Sequence, residues 1–267
     1  MVPGEPAAAH EQLEHSLRFA AAAPEAPHEP LPTLVTTQLQ LAPVLDLLGQ
    51  RERAAELLDT AVGRTRDLPP LVRTGVLTSA ALIAALRRDP ALAGAHAAEA
   101  LAVAAKLPAW LSYATAVLSW TQALEGDPAG GARLRQSLEE IQAGGAQHLV
   151  PWGLGLLAEA ELLAGRPPEA LRLLDDALAR VARSGERMYE AELHRLRGLA
   201  LLACSPPRRR QARAALDTAV AVARRQDAEL LEEWATASRR RLTVAPSPHS
   251  SSDTQTPAPS APEEPGS

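Results

Sequence analysis

Small and apolar residues recur at helical spacing along the chain, and one run of them occurs twice. Gly49, Ala54, Leu57, Leu58, Asp59, Ala61 and Val62 stand at the same offsets as Gly165, Ala170, Leu173, Leu174, Asp175, Ala177 and Leu178. In both runs an Ala–Leu–Ala set falls at i, i+4 and i+7, which puts it on one face of a helix. The glycine ahead of each run marks where a preceding helix ends. A chain that repeats a helical unit is a solenoid, and solenoids present extended binding surfaces.

Turn signals fill in the copies between. They fall at Gly49-Gln50, Arg88-Asp89-Pro90, Gly126-Asp127-Pro128, Gly165-Arg166-Pro167-Pro168 and Ser205-Pro206-Pro207. Their period of roughly 39 residues is typical of helical-hairpin arrays. Proline is tolerated in the first turn of a helix, so each Asp-Pro or Pro-Pro predicts the start of the second helix of a pair. The pattern predicts five hairpins, over 33–67, 70–106, 109–144, 148–184 and 187–226, and a final helix over 228–242. The predicted core positions are Leu41, Ala42, Ala54, Leu58 and Ala61 in the first unit and Ala93, Ala97 and Ala100 in the second. Gly131, Leu134 and Leu138 serve in the third, Leu157, Ala158, Ala170, Leu174 and Ala177 in the fourth, and Gly198, Ala212, Leu216 and Ala219 in the fifth. The final helix sets Glu229, Glu232, Glu233 and Arg239 to Arg241 against Leu230, Leu231, Trp234 and Ala237, and is predicted to cap the open end of the stack.

The organisation expected is therefore a repeat domain over 33–242 between two unlike ends. Residues 1–32 hold a proline-free stretch, Ala7 to Ala22, read as a loosely attached helix followed by a Pro-rich linker. Residues 243–267 are Pro/Ser/Thr/Glu with almost no large apolar side chain, and are expected to stay disordered.

Composition sharpens the fold class to all-α. Hydrophobic residues make up 46% but aromatics only 3%, and a diet of Ala and Leu favours helices over sheets. The formal charge of −5 sits mainly at the ends, where residues 1–32 alone carry five Glu against one Arg. The nearly neutral middle offers no basic field for nucleic acid. Cys204 is the only cysteine, so neither an intrachain disulfide nor a multi-cysteine zinc site can form. The N-terminus lacks the pattern of a signal peptide. The longest apolar run, Ala80 to Leu86, is too short to span a bilayer. A cytoplasmic location is expected.

Residues 109–242 closely resemble the C-terminal tetratricopeptide-like region of large bacterial regulators. In those proteins a signalling ATPase is joined to a LuxR-type or activator DNA-binding domain, or to a class III nucleotide cyclase. The run Gly185-Glu186-Arg187-Met188-Tyr189-Glu190-Ala191-Glu192-Leu193-His194-Arg195-Leu196-Arg197-Gly198 carries the resemblance. So do Ala219 to Gln226 and Leu156-Leu157-Ala158-Glu159-Ala160 leading to Gly165-Arg166. It implies a right-handed superhelix that serves as a sensor or protein-interaction module. The ATPase itself is missing, because a phosphate-binding loop needs Gly-Lys-Ser/Thr and the single lysine, Lys106, lies in Ala-Lys-Leu-Pro.

Motifs that suggest chemistry have plainer readings. Gly153-Leu154-Gly155-Leu156-Leu157-Ala158 imitates a dinucleotide fingerprint but lacks the preceding strand. Glu190 and His194 share a helix face without the further ligands a metal needs. Glu139-Glu140, Asp175-Asp176 and Glu232-Glu233 diverge around their helices and are not paired acid–base carboxylates. Arg208 to Arg210 and Arg239 to Arg241 have no aromatics interleaved for base stacking. Cys204 reads as a small apolar residue. No catalytic residue, cofactor site or metal site is assigned.

The concave groove remains. First helices of tetratricopeptide hairpins line it, which points Tyr113, Trp120, Trp152, Glu159, Glu192 and Arg195 inward. Aromatics mixed with a few charges suit a peptide or a small ligand. The expected function is a non-enzymatic protein–protein interaction scaffold in bacterial signalling or transcriptional regulation, with a protein or peptide partner, and neither nucleic acid nor membrane. The alternative is a small-molecule sensor with its ligand in the groove. An open channel favours the first, and a closed pocket beside Trp120 and Trp152 the second.

Overall fold

The computed structural model describes residues 6–22, 33–65, 69–103, 108–145 and 149–243. The expected linker after Ala22 and the tail beyond Thr243 lie outside them. Among the described residues all regular structure is helical. The helices are α1 (Pro6–Ala22), α2 (Thr33–Leu47), α3 (Arg51–Arg64), α4 (Pro70–Leu86), α5 (Pro90–Val103) and α6 (Pro108–Leu124). They continue with α7 (Gly130–Ala143), α8 (Val150–Leu163), α9 (Pro167–Ser184), α10 (Glu190–Ala203), α11 (Arg209–Arg225) and α12 (Glu229–Thr243). No described helix is long and apolar enough to cross a membrane.

Local chemistry sets the ends. Pro70, Pro90 and Pro167 open α4, α5 and α9, where a missing N–H costs nothing. Gly49, Gly126 and Gly165 follow α2, α6 and α8 with φ of 77°, 96° and 73°, a left-handed conformation that suits glycine. Elsewhere the proline precedes the helix instead of opening it. Asp127 Oδ1 accepts the Ala129 N–H at 2.9 Å, holding a turn across Pro128, and α7 starts only at Gly130. Likewise α11 starts at Arg209, after Pro206 and Pro207.

Consecutive helices pack in pairs, α2 with α3 and so on to α10 with α11. The second helix of each pair buries a stripe at i, i+4 and i+7. These stripes are Ala54, Leu58 and Ala61; Ala93, Ala97 and Ala100; Ala170, Leu174 and Ala177; and Ala212, Leu216 and Ala219. In α7 the stripe is Gly130, Leu134 and Ser137. Of the set expected from the sequence, Leu134 and Leu138 are buried, while Gly131 is not and its neighbour Gly130 takes its place. A Cβ on Gly130 would stand 2.7 Å from the Ala123 nitrogen and 2.8 Å from the Ser119 oxygen, so the α7 backbone lies directly on α6 there. A Cβ on Gly131 would meet nothing nearer than the Ala160 Cβ at 4.0 Å.

The first helices of the pairs make an inner layer. α2 touches α4, α4 touches α6, α6 touches α8, α8 touches α10, α10 touches α12, and α12 returns to α2. The six form a closed ring. Around it α3, α5, α7, α9 and α11 each pack between the two inner helices that flank them. Helix α1 packs on the outside of α2, with Leu13 and Leu17 against Leu41, Leu45 and Ala54, and Glu14 paired to Arg53 at 2.6 Å.

Closure lies between α2 and α12. Leu47 joins Ala191, Val222, Ala223, Ala228 and Leu231 in one apolar cluster. Gly49 lies on the Glu229 side chain, and Arg51 pairs with Glu233 at the surface. Helix α12 thus bridges the two ends of the array rather than covering one of them. Its buried face is Leu230, Leu231, Ala235 and Ser238 with the half-buried Trp234, and Ala237 points to solvent.

Candidate functional site

The inner face of the ring is filled by side chains from different helices. Arg88, just past α4, reaches inward to form ion pairs with Glu159 of α8 and, at 3.2 Å, with Glu192 of α10. Its guanidinium carbon lies 5.9 Å from the centre of the Trp234 ring of α12, a cation–π distance. The Trp120 indole of α6 donates to Glu159 Oε2 at 3.0 Å. Arg195 donates to both Glu192 oxygens, at 2.6 and 2.7 Å, and to the Ser238 hydroxyl at 3.2 Å. Two arginines and two glutamates form a balanced group that ties α4, α6, α8, α10 and α12 together.

Backbone geometry places Arg88. It occupies the turn position that is glycine after α2, α6 and α8, and it adopts the same left-handed conformation with φ of 57°. A non-glycine residue there is strained, and its neighbours must hold it. Its contacts with Glu159, Glu192 and Trp234 do so.

Of the six residues predicted to face the groove, Trp120, Glu159, Glu192 and Arg195 belong to this group. Trp120 is 0% exposed, Trp152 8% and Arg195 8%. Trp152 packs against Tyr189, with ring centres 6.3 Å apart and tilted by 49°. Tyr113 of α6 stands apart from the ion pairs. It lines a void of about 10 Å³ with Trp152 and Leu156, and burial, then Glu186, raises its pKa. The sequence reading missed Arg88, Ser238, Tyr189 and Asp46, and placed Trp234 only on an apolar stripe. Arg88 left one signal, its place in Arg88-Asp89-Pro90 where another copy reads Gly126-Asp127-Pro128.

Beside this group lies a cavity of about 30 Å³, lined by residues that include Asp46, Trp152, Tyr189, Glu192 and Trp234. A water needs roughly 10–15 Å³ by such a measure and a metabolite pocket spans roughly 300–1,000 Å³. The cavity has room for about two water-sized atoms. Asp46 is 3% exposed and neither of its oxygens accepts a hydrogen bond. Burial pushes its pKa up to about 6, against the pull of Arg87 and Arg51. Burial also pushes the Tyr189 phenol far above its ordinary range, helped by Glu186 and Asp46.

The remaining motifs lie in ordinary surroundings. Among the described residues no three of His, Cys, Asp and Glu are gathered as a metal ion requires. Glu190 is held by Arg187 at 2.8 Å, and burial lowers the pKa of His194. Gly155 lies where a Cβ would meet Leu193 Cδ2 at 2.9 Å, so it lets α8 approach α10. Cys204 is buried, with its sulfur 3.4 Å from the Ala200 carbonyl. Arg239 pairs with Asp217 at the surface. No protein-family model matches the chain, and no curated protein matches it.

Proposed function

We propose that the chain is a non-enzymatic scaffold for protein–protein contact, built on a tetratricopeptide-like right-handed superhelix of about five hairpins with a final helix behind them, and acting in bacterial signalling or transcriptional regulation. The observation that carries this reading is the stripe at i, i+4 and i+7 buried in all five second helices. One supersecondary unit repeated in this way builds surface without a catalytic centre. A peptide partner on the inner face would have to part α2 from α12, because that face is filled.

The contact between those helices supplies the test. A Cβ on Gly49 would lie 3.5 Å from the Glu229 Cβ, within the span of a disulfide. The variant Gly49→Cys/Glu229→Cys, oxidised, locks the ring, and reduction frees it. Cross-linking in a lysate of the source cells is expected to capture partners with the reduced variant and lose them with the oxidised one. An identical set in both states removes the inner face as the partner site. No partner in either state, nor with the unaltered chain, removes the scaffold reading.

A second reading, a small-molecule sensor, is favoured by the cavity beside Trp152. A small ligand there would need no parting of the helices.

A further inference from the structure

We propose that the cavity between α2, α8, α10 and α12 is a binding site for a small primary alkylammonium ion. The inference deepens the sensor reading and rests on the ring interior being the ligand face.

Asp46 carries the argument. It is buried on α2, it lines the cavity, and neither carboxylate oxygen accepts a hydrogen bond. A buried carboxylate without donors is costly. Its nearest cation is Arg87, whose Nε lies 3.4 Å from Oδ1, and Arg87 is not part of the cavity wall. The other charged groups of the wall are committed elsewhere. Arg88 is spent on Glu159 and Glu192, and both Glu192 oxygens accept from Arg195. Asp46 is therefore the charged group of the wall whose oxygens accept no hydrogen bond.

The walls select the donor. Trp152, Tyr189 and Trp234 line the space among aliphatic side chains, Trp234 already facing Arg88, and aromatic rings attract cations. A carboxylate within aromatic walls repels anions and favours a positive group that carries N–H. The volume of about 30 Å³ suits two heavy atoms, as in methylammonium. A quaternary ammonium is too large and has no N–H to give Asp46. Water fits the space but gains little from the rings.

Thermal unfolding of the full chain at pH 8 tests the proposal, with methylammonium chloride compared with sodium chloride and tetramethylammonium chloride at equal ionic strength. Methylammonium is expected to raise the midpoint by a few degrees at roughly ten times its dissociation constant, while the other two salts give only a common salt effect. Asp46→Asn should abolish the difference while keeping the helical circular dichroism. No excess over sodium chloride, or an equal excess in Asp46→Asn, overturns the proposal. Should that variant fail to fold, line broadening of carbon-13 methylammonium by the unaltered protein decides, and sharp lines overturn it. Failure here leaves the Gly49→Cys/Glu229→Cys result intact, so the two ideas fall separately.

Discussion

Arg88, at the end of α4, is ion-paired with Glu159 of α8, 71 residues away in sequence. It makes this contact from a left-handed backbone, as Gly49, Gly126 and Gly165 do at the same place in other units. That conformation costs a non-glycine residue roughly 1–2 kcal/mol. The contacts it enables involve Glu159 and Glu192 side chains only 13% and 11% exposed, so removing Arg88 strands buried charge. Arg88→Gly is expected to lose on the order of 2 kcal/mol net, since relief of strain offsets part of the lost pairing. Arg88→Ala should lose about 1 kcal/mol more, because alanine keeps the strain. Adding Glu159→Gln to Arg88→Gly should recover part of the loss. Urea unfolding measures all three. An Arg88→Gly protein more stable than the parent would show that strain outweighs the contacts.

Two adjacent glycines should respond oppositely to the same change. Gly130→Ala forces a Cβ against Ala123 and Ser119 backbone atoms, which cannot move aside as a side chain could, and should cost roughly 1–3 kcal/mol. Gly131→Ala would meet only the Ala160 Cβ, at 4.0 Å, within a helix and should add about 0.4–1 kcal/mol. Equal effects in thermal melts would refute the placement of α7 on α6.

Stability should carry the signature of Asp46 between pH 4 and 7. Its folded pKa, about 6, lies above the ordinary 3.8, so the folded state holds this proton more tightly than the unfolded one. The favourable contribution is complete below pH 4 and is lost as pH rises through about 6. Asp46→Asn removes the titration. Its stability relative to the parent should therefore grow with pH, by on the order of 2 kcal/mol from pH 4 to pH 7. Urea midpoints at pH 4, 5.5 and 7 check this, and a pH-independent difference rules it out.

Closure of the ring should depend on apolar contact more than on charge. Arg51 and Glu233 are 46% and 63% exposed, and Arg51→Ala should change stability by less than about 0.5 kcal/mol. Leu231 is 3% exposed in the cluster around Leu47, and Leu231→Ala should cost about 2–5 kcal/mol. Comparable losses from both would place the strength of this contact in the ion pair instead.

What could be read ahead of the structure was whatever a single helix encodes. Ala54, Leu58 and Ala61 announce their face by spacing alone, and Gly49 and Gly165 announce a helix end. Gly130 and Gly131 are adjacent and have no side chain to mark a face, so the register between them was set only by where α7 meets α6. Trp120, Glu159, Glu192 and Arg195 were legible as inward residues because inner-face positions follow helical period. Their partners were not. Arg88 depends on a backbone conformation that its residue type disfavours, and Asp46 and Trp234 face each other's helices only because α12 returns to α2. That return joins the first and last inner helices, and no local pattern reports it.

The return of α12 to α2 also sets a count. An open array can gain or lose a hairpin, since each unit leans only on its neighbours and the ends stay free. Here the last inner helix must arrive at the first, with Leu231 meeting Leu47. One hairpin fewer would leave a gap, and one more would overrun the starting point. Duplication, the ordinary route by which repeat proteins lengthen, is closed to this chain as long as the ring stays shut. The number of its helices is as much a part of the fold as their packing.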